Sequence, residues 1–348
     1  MIMYKIFSLA QIFFFIVNFH VSFAEEKCNF NCNSQKSESN VKKNKGNRNI
    51  KITLPETNIE SSECTKIRTS LKSNIKDLEL ICDNEYGYII SNTLPSHLMM
   101  IGITSPNEQV PIPAINYISP IKLKPKKSKK FILRDAALGV AINGVPIYDY
   151  TSKGEIDLYN YNSKKDTYAL GQLDKCGGHA GRGDDYHYHI KPKCMIENIK
   201  NYTPKTIIGW AFDGYPIFGY KDLSGTEIDK NELDQCNGIN DPIYGYRYHT
   251  SNSEPYILKC LVGEVDVNIL PKVSPLKGSN IRKDLKPPKG KVKNLKLTKE
   301  GKGSFIMDYE YNNIIYYISY KQSNNSNCYN FIQKTISNNK LEEAILCR

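Results

Sequence analysis

From Gly87 onward the chain is a succession of short apolar runs broken by glycine and proline, among them Tyr88–Ile90, Leu98–Ile103, Ile115–Ile118 and Phe131–Leu133. Runs of that length, bounded by turn residues, predict strands rather than helices. Near the C-terminus, Ser304–Tyr311 and Ile314–Tyr320 flank Asn312-Asn313, which predicts a β-hairpin. Thr335–Leu346 predicts a helix packed on that hairpin, and Thr65–Leu80 predicts a short helix near the start. The expected fold is mostly β, with a small α+β appendage at the C-terminus.

The middle of the chain repeats itself. Ala141-Ile142-Asn143-Gly144-Val145-Pro146-Ile147-Tyr148 matches Ala211-Phe212-Asp213-Gly214-Tyr215-Pro216-Ile217-Phe218. Gly154-Glu155-Ile156-Asp157 then matches Gly225-Thr226-Glu227-Ile228-Asp229, and Leu173-Asp174-Lys175-Cys176 matches Leu233-Asp234-Gln235-Cys236. Finally Tyr186-His187-Tyr188-His189, followed by Cys194, answers Tyr246-Arg247-Tyr248-His249, followed by Cys260. The Asn-Gly and Asp-Gly pairs tolerate positive φ and mark turns. Each unit reads as a β-hairpin, a loop, and a cysteine-bounded segment with a Tyr-x-Tyr-His strand. Two such units are expected to form one pseudo-symmetric β domain.

Composition sets the compartment. Lys5, an apolar run over Ile6–Phe19 and small residues at Ser22 and Ala24 read as a signal peptide over 1–24, and hence a secreted or cell-surface protein. The ten cysteines all follow the expected cleavage point, so disulfides are the default. For Cys176, Cys194, Cys236 and Cys260 the expected pairs are Cys176–Cys194 and Cys236–Cys260, the first enclosing the histidine loop. Asn201 and Asn324 head glycosylation sequons. The net charge of +11 is concentrated in Lys42–Lys51 and Lys272–Lys302. Both stretches lack apolar periodicity, structured arginines and interleaved aromatics, so they read as solvated linker and not as a nucleic-acid surface. No second apolar run is long enough to span a membrane after signal cleavage.

These motifs resemble the YHYH-domain family. The resemblance is carried by Leu94-Pro95-Ser96-His97, the Ala141–Tyr148 segment, Leu173-Asp174-Lys175-Cys176-Gly177-Gly178-His179, Tyr186–His189 and Gly209-Trp210-Ala211-Phe212-Asp213-Gly214-Tyr215-Pro216-Ile217. It spans about Gly87–Val265 and implies a secreted or surface domain without assigning an activity. The domain organisation expected is a signal peptide over 1–24 and a polar, cysteine-containing, partly disordered extension over 25–83. The YHYH domain follows over 84–266, with units at about 138–195 and 208–263, then a basic linker over 267–303 and a hairpin-and-helix segment over 304–348.

Candidate chemistry centres on histidine. If Asp185–Ile190 is extended, His187 and His189 project to one face, roughly 6.5–7 Å apart along the strand, while Tyr186 and Tyr188 project to the other. His189 has a counterpart in His249, so a structural need explains both. His179 and His187 are replaced in the second unit by Ile239 and Arg247. A transition-metal site (zinc, copper or iron) is therefore placed on His179, His187 and His189, with His97 or Asp213 as completing ligands. The competing structural reading has these histidines bonded to Asp174 or to loop backbone. Catalysis is left open; in an enzyme the metal would activate water or dioxygen, with Tyr186 or Asp213 exchanging the proton.

The other function class is an extracellular glycan- or protein-binding module without metal, using the 24 tyrosines and the tripeptide Arg182-Gly183-Asp184. No nucleophile elbow is present, and Asp229, Asn231 and Asp234 lack the glycine and terminal glutamate of a calcium loop.

Overall fold

The computed structural model describes residues 52–71, 78–105, 109–115, 117–181, 185–273, 292–324, 327–336 and 339–347. The chain divides into Met1–Arg48, outside those residues, and Asn49–Arg348, which holds everything that follows. The expected signal peptide, Cys28, Cys32, Arg182-Gly183-Asp184 and 274–291 of the basic stretch also lie outside the described residues.

Helix α1 (Ser62–Ser70) is capped by the Ser61 hydroxyl, which accepts the Cys64 N–H. It starts earlier and ends sooner than the helix predicted over Thr65–Leu80. By Glu79 the chain has entered a strand, and the Cys64–Cys82 disulfide ties that strand to the helix. The strands β1 (Glu79–Cys82), β2 (Tyr86–Ser91) and β3 (Tyr117–Lys122) form an antiparallel three-stranded sheet, and β4 (Lys127–Ile132) follows. Leu98–Ile103, predicted extended, is a series of turns instead: Met100 and Gly102 sit at φ of 62° and 89°, which a strand does not allow.

The central sheet is built from β5 (Gly139–Ala141), β6 (Pro146–Ile147), β7 (Gly178–Ala180), β8 (Tyr186–Tyr188), β9 (Gly209–Ala211), β10 (Pro216–Phe218), β11 (Gly238–Asp241) and β12 (Gly245–His249), with the short helix α2 (Lys193–Glu197) between β8 and β9. Its eight strands lie in the order β11-β12-β10-β9-β5-β6-β8-β7. At the centre β5 and β9 are antiparallel, with Gly139 opposite Ala211, Val140 opposite Trp210 and Ala141 opposite Gly209. The Asn143-Gly144 and Asp213-Gly214 turns join β5 to β6 and β9 to β10, with both glycines at positive φ (80° and 92°). Outward, β6 runs parallel to β8 with Ile147 opposite Tyr188, and β10 runs parallel to β12 with Ile217 opposite Tyr248. The outermost pairs set His179 opposite His187 and Ile239 opposite Arg247. Helix α1 leans on this sheet through Trp210, whose indole N–H donates to the Ser70 hydroxyl at 2.8 Å.

The strand β13 (Leu261–Gly263) pairs with β4, and the C-terminal sheet follows. It contains β14 (Lys293–Gly301), β15 (Ser304–Tyr311), β16 (Ile314–Gln322), β17 (Cys328–Lys334) and β18 (Glu342–Cys347), in that order. The predicted hairpin is β15–β16, turning through Asn312 and Asn313 at positive φ. The helix predicted over Thr335–Leu346 is not formed. Glu342–Cys347 pairs antiparallel with β17, and Cys328 faces and bonds Cys347, so tertiary pairing overrides the helix propensity of Leu341-Glu342-Glu343-Ala344. Strand β14 lies inside the stretch that composition reads as linker; Leu295 and Leu297 are buried between exposed neighbours, an alternation hidden among lysines.

Among the described residues there are four disulfides, Cys64–Cys82, Cys176–Cys194, Cys236–Cys260 and Cys328–Cys347, and both pairs expected around the Tyr-x-Tyr-His strands are present. Such a set fits an extracellular protein. No described helix is long and apolar enough to cross a membrane.

The β5–β9 contact tolerates no side chain at Gly139. An added Cβ would meet the Trp210 carbonyl oxygen at 2.6 Å and the Ala211 Cα at 3.1 Å, both backbone atoms that cannot swing away. Gly139→Ala is expected to cost about 1–3 kcal/mol in urea unfolding. Gly301→Ala, where a Cβ meets nothing within 4 Å, should change stability by less than about 0.5 kcal/mol.

Candidate metal centre

The site starts from two carboxylates that gather turn backbone. Asp174 Oδ1 accepts the N–H groups of Cys176 and Gly178 at 2.9 and 3.2 Å, and Oδ2 accepts the Met100 N–H and the Tyr186 hydroxyl, both at 2.8 Å. Asp234 does the same in the second half, accepting from Cys236, Gly238 and the Tyr246 hydroxyl at 2.9, 3.0 and 2.9 Å. Each tyrosine reaches its carboxylate by lying across a glycine. A Cβ on Gly178 would come within 2.7 Å of the Tyr186 ring and hydroxyl, and one on Gly238 within 2.0 Å of the Tyr246 hydroxyl.

The second tyrosine of each strand is also pinned. The Tyr188 hydroxyl accepts from the Asn143 amide at 3.0 Å and pairs with His97 Nε2 at 2.7 Å; the Tyr248 hydroxyl donates to Asp213 Oδ2 at 2.6 Å and accepts from the Val262 N–H. With Tyr186 and Tyr188 committed this way, alternation along β8 turns His187 and His189 to the opposite face.

Three imidazoles meet there. His179, His187 and His189 are all buried, and one ring nitrogen of each lies within 4.8 Å of those of the other two. His179 Nε2 and His189 Nε2 are 3.1 Å apart. His187 Nδ1 bonds the Asp185 carbonyl at 2.8 Å, and His189 Nδ1 bonds the Asp149 carbonyl. A carbonyl oxygen only accepts, so both Nδ1 atoms carry a proton, and in the neutral form of each ring the lone pair is then on Nε2. Metal-ligating histidines are oriented in just this way by their outer neighbours. Tyr148 stacks on His187 with ring centroids 4.1 Å apart, fixing the ring plane. A Cβ on Gly181 would stand 2.5 Å from His179 Nε2, so a side chain at that position would collide with the ring.

The structure separates the predicted residues. His179, His187 and His189 converge. His97 does not join them: its Nδ1 bonds the Leu98 carbonyl and its Nε2 the Tyr188 hydroxyl. It lies instead beside Cys176 and Cys194, whose sulfurs are spent in a disulfide. Asp213 belongs to the second half, accepting from Tyr248 and from the Gly263 N–H at 2.8 Å. Tyr186 lies on the far face of β8 against Asp174, which therefore serves the tyrosine and not the histidines. Asn201 and Asn324 are exposed. Asp229 Oδ1 accepts the Asn231 N–H and caps a single 3₁₀ turn, and Asp234 holds its own turn through the Cys236 and Gly238 N–H groups while its Oδ2 accepts the Tyr246 hydroxyl. The structural reading of these histidines as bonded to loop backbone matches both Nδ1 contacts, but the sequence did not name the Asp149 and Asp185 carbonyls, nor Tyr148. Backbone acceptors leave no mark in a sequence, but the aromatic closing each Ala-x-[Asn/Asp]-Gly-x-Pro-Ile motif was a usable signal for Tyr148.

The strand β12 carries His249 without a histidine trio beside it among the described residues. His249 Nδ1 bonds the Gly219 carbonyl at 2.7 Å, and its Nε2 accepts the Arg247 Nε–H at 3.0 Å. Burial, with the Arg247 charge adding to it, lowers the His249 pKa to about 4 and keeps the ring neutral.

The three buried imidazoles form a group whose ring nitrogens lie close enough together that they could hold a metal ion. A family model described as YHYH protein matches residues 119–230, so the chain carries a YHYH-family region. That match contains Tyr186–His189 and the Asp213-Gly214 turn but ends before Tyr246–His249. No curated protein and no solved structure matches the chain.

Burial pushes the Asp213 carboxyl up to about 6, against the pull of its Tyr248 and Gly263 donors. A folded pKa above the unfolded value near 3.9 contributes stability that is complete below that value and is lost as pH rises through about 6. Asp213→Asn, which can keep the same acceptor toward Tyr248, removes this titration. Between pH 3 and pH 8 the parent should lose about 3 kcal/mol relative to the variant in urea unfolding; a pH-independent difference contradicts the assignment.

Proposed function

We propose that this is a secreted protein whose YHYH domain holds one transition-metal ion on His179, His187 and His189. The observation that carries the reading is the fixed tautomer of His187 and His189, whose Nδ1 protons are committed to the Asp185 and Asp149 carbonyls. Two nitrogens on one tetrahedral zinc stand about 3.3 Å apart, close to the 3.1 Å between His179 and His189. Neutral imidazoles suit zinc, copper or iron, and three of them leave a coordination position for water or a ligand. Bound there, such an ion would supply Lewis acidity to whatever enters; the chain's own residues orient the rings and exclude water from their far sides. Tyr186 and Asp213 are not placed to exchange protons at this site, so neither is assigned a catalytic role.

The duplication belongs to the same reading. Matched by motif, β5, β6, β8 and β7 correspond to β9, β10, β12 and β11, and the sheet order reads alike from either edge. The central pairing supports a local two-fold axis between Val140 and Trp210, because Gly139 faces Ala211 just as Gly209 faces Ala141.

A second reading, glycan binding, is favoured by a cavity of about 320 Å³ lined by Tyr150, Glu155, Asp157, Asn160, Tyr161 and Lys165, aromatic rings beside hydrogen-bonding groups.

Elemental analysis of the purified secreted protein separates the two. The metal reading expects close to one ion per chain in the parent and near none in His187→Ala, with His249→Ala keeping its ion. Equal, substoichiometric metal in the parent and His187→Ala overturns it and gives priority to a glycan screen.

A further inference from the structure

The second half raises its own question: what satisfies a buried Tyr-x-Tyr-His strand that lacks two of the three histidines? His249 has the same orientation as His189, with Nδ1 on the carbonyl of Gly219 where His189 uses that of Asp149, residues at matching places in the repeat. Its Nε2 lone pair points at the Arg247 guanidinium, 3.0 Å from Nε. Arg247 is 3 % exposed, and its Nη1 stands 3.5 Å from Asp241 Oδ2. Ile239, opposite Arg247 in the ladder, fills the position that His179 holds opposite His187.

We infer that Arg247 is a tethered cation standing in the second half where the metal ion stands in the first, so that each chain takes one metal and not two. The inference rests on the metal reading of the first half. A guanidinium stays charged at any pH a protein survives and lacks any lone pair. It therefore gives the His249 lone pair a positive partner while denying the place to an ion. Ile239 removes the third donor, and Asp241 balances the charge. The same sheet position is thereby filled by an exchangeable cation in one half and a covalent one in the other.

Two exchanges of residues test this. Ile239→His with Arg247→His restores the trio, and titration of the chelator-treated protein with Zn²⁺ should rise from one equivalent to two. One equivalent in this folded variant overturns the inference. The reverse exchange, His179→Ile with His187→Arg, should lose the metal yet unfold at least about 2 °C above His179→Ile with His187→Ala, both measured in chelator. An arginine variant no more stable than the alanine variant also overturns it. The two readings fail separately: absence of Zn²⁺ binding by the parent sinks the metal site, whereas the arginine-against-alanine comparison is made without metal and still decides the role of the guanidinium.

Discussion

Two backbone carbonyls, those of Asp149 and Asp185, hold the histidines on which the proposed metal site depends. By accepting the Nδ1 protons of His189 and His187, they leave Nε2 as the lone-pair atom of each ring in its neutral form, and one ring nitrogen of each lies within 4.8 Å of those of the other two in the trio with His179. Asp149 directly follows the Tyr148 that stacks on His187, and both extend from β6, the strand hydrogen-bonded to β8. Ring orientation is thus a consequence of strand pairing and not of side-chain choice. A shift of one residue in the β6–β8 register would turn the histidines to the tyrosine face and dissolve the site.

Support for that register comes from polar groups that ordinarily cost stability when buried. Asp174 and Asp234 each collect turn N–H groups and a tyrosine hydroxyl; Asp174 is buried, and its burial is compensated by these donors, whereas Asp234 is exposed. Burial still raises the Asp174 carboxyl to about 6, and the histidine-side and carboxylate-side groups respond to acid in opposite directions. His249, lowered to about 4, contributes stability that is complete above its unfolded pKa near 6.5 and is lost as pH falls toward 4. The Cys176–Cys194 and Cys236–Cys260 disulfides close segments of 18 and 24 residues around the two strands, each limiting the unfolded chain by about 3 kcal/mol on the loop-entropy account.

Much of this was legible in the sequence, and the reasons differ by residue. Period-2 alternation placed His187 and His189 on one face, and comparison of the two units singled out His179 and His187 because Ile239 and Arg247 replace them. Cysteine spacing yielded the two central disulfides. What failed were inferences from local propensity: Leu341-Glu342-Glu343-Ala344 favours helix, yet pairing with β17 and the bond to Cys328 impose a strand. His97 and Asp213 were attached to the metal on residue type alone. Their true partners, Tyr188 and Tyr248, lie 91 and 35 residues away in sequence, a separation no local pattern reports. Arg247 stood out only as a departure from the motif; its bond to His249 gives that departure a physical meaning.

X-ray absorption at the metal edge of the purified, metal-loaded protein tests the central claim most directly. The account predicts three nitrogen scatterers at about 2.0–2.1 Å with the outer-shell pattern of imidazole rings. A first shell dominated by sulfur, or by oxygen without imidazole outer scattering, would contradict it.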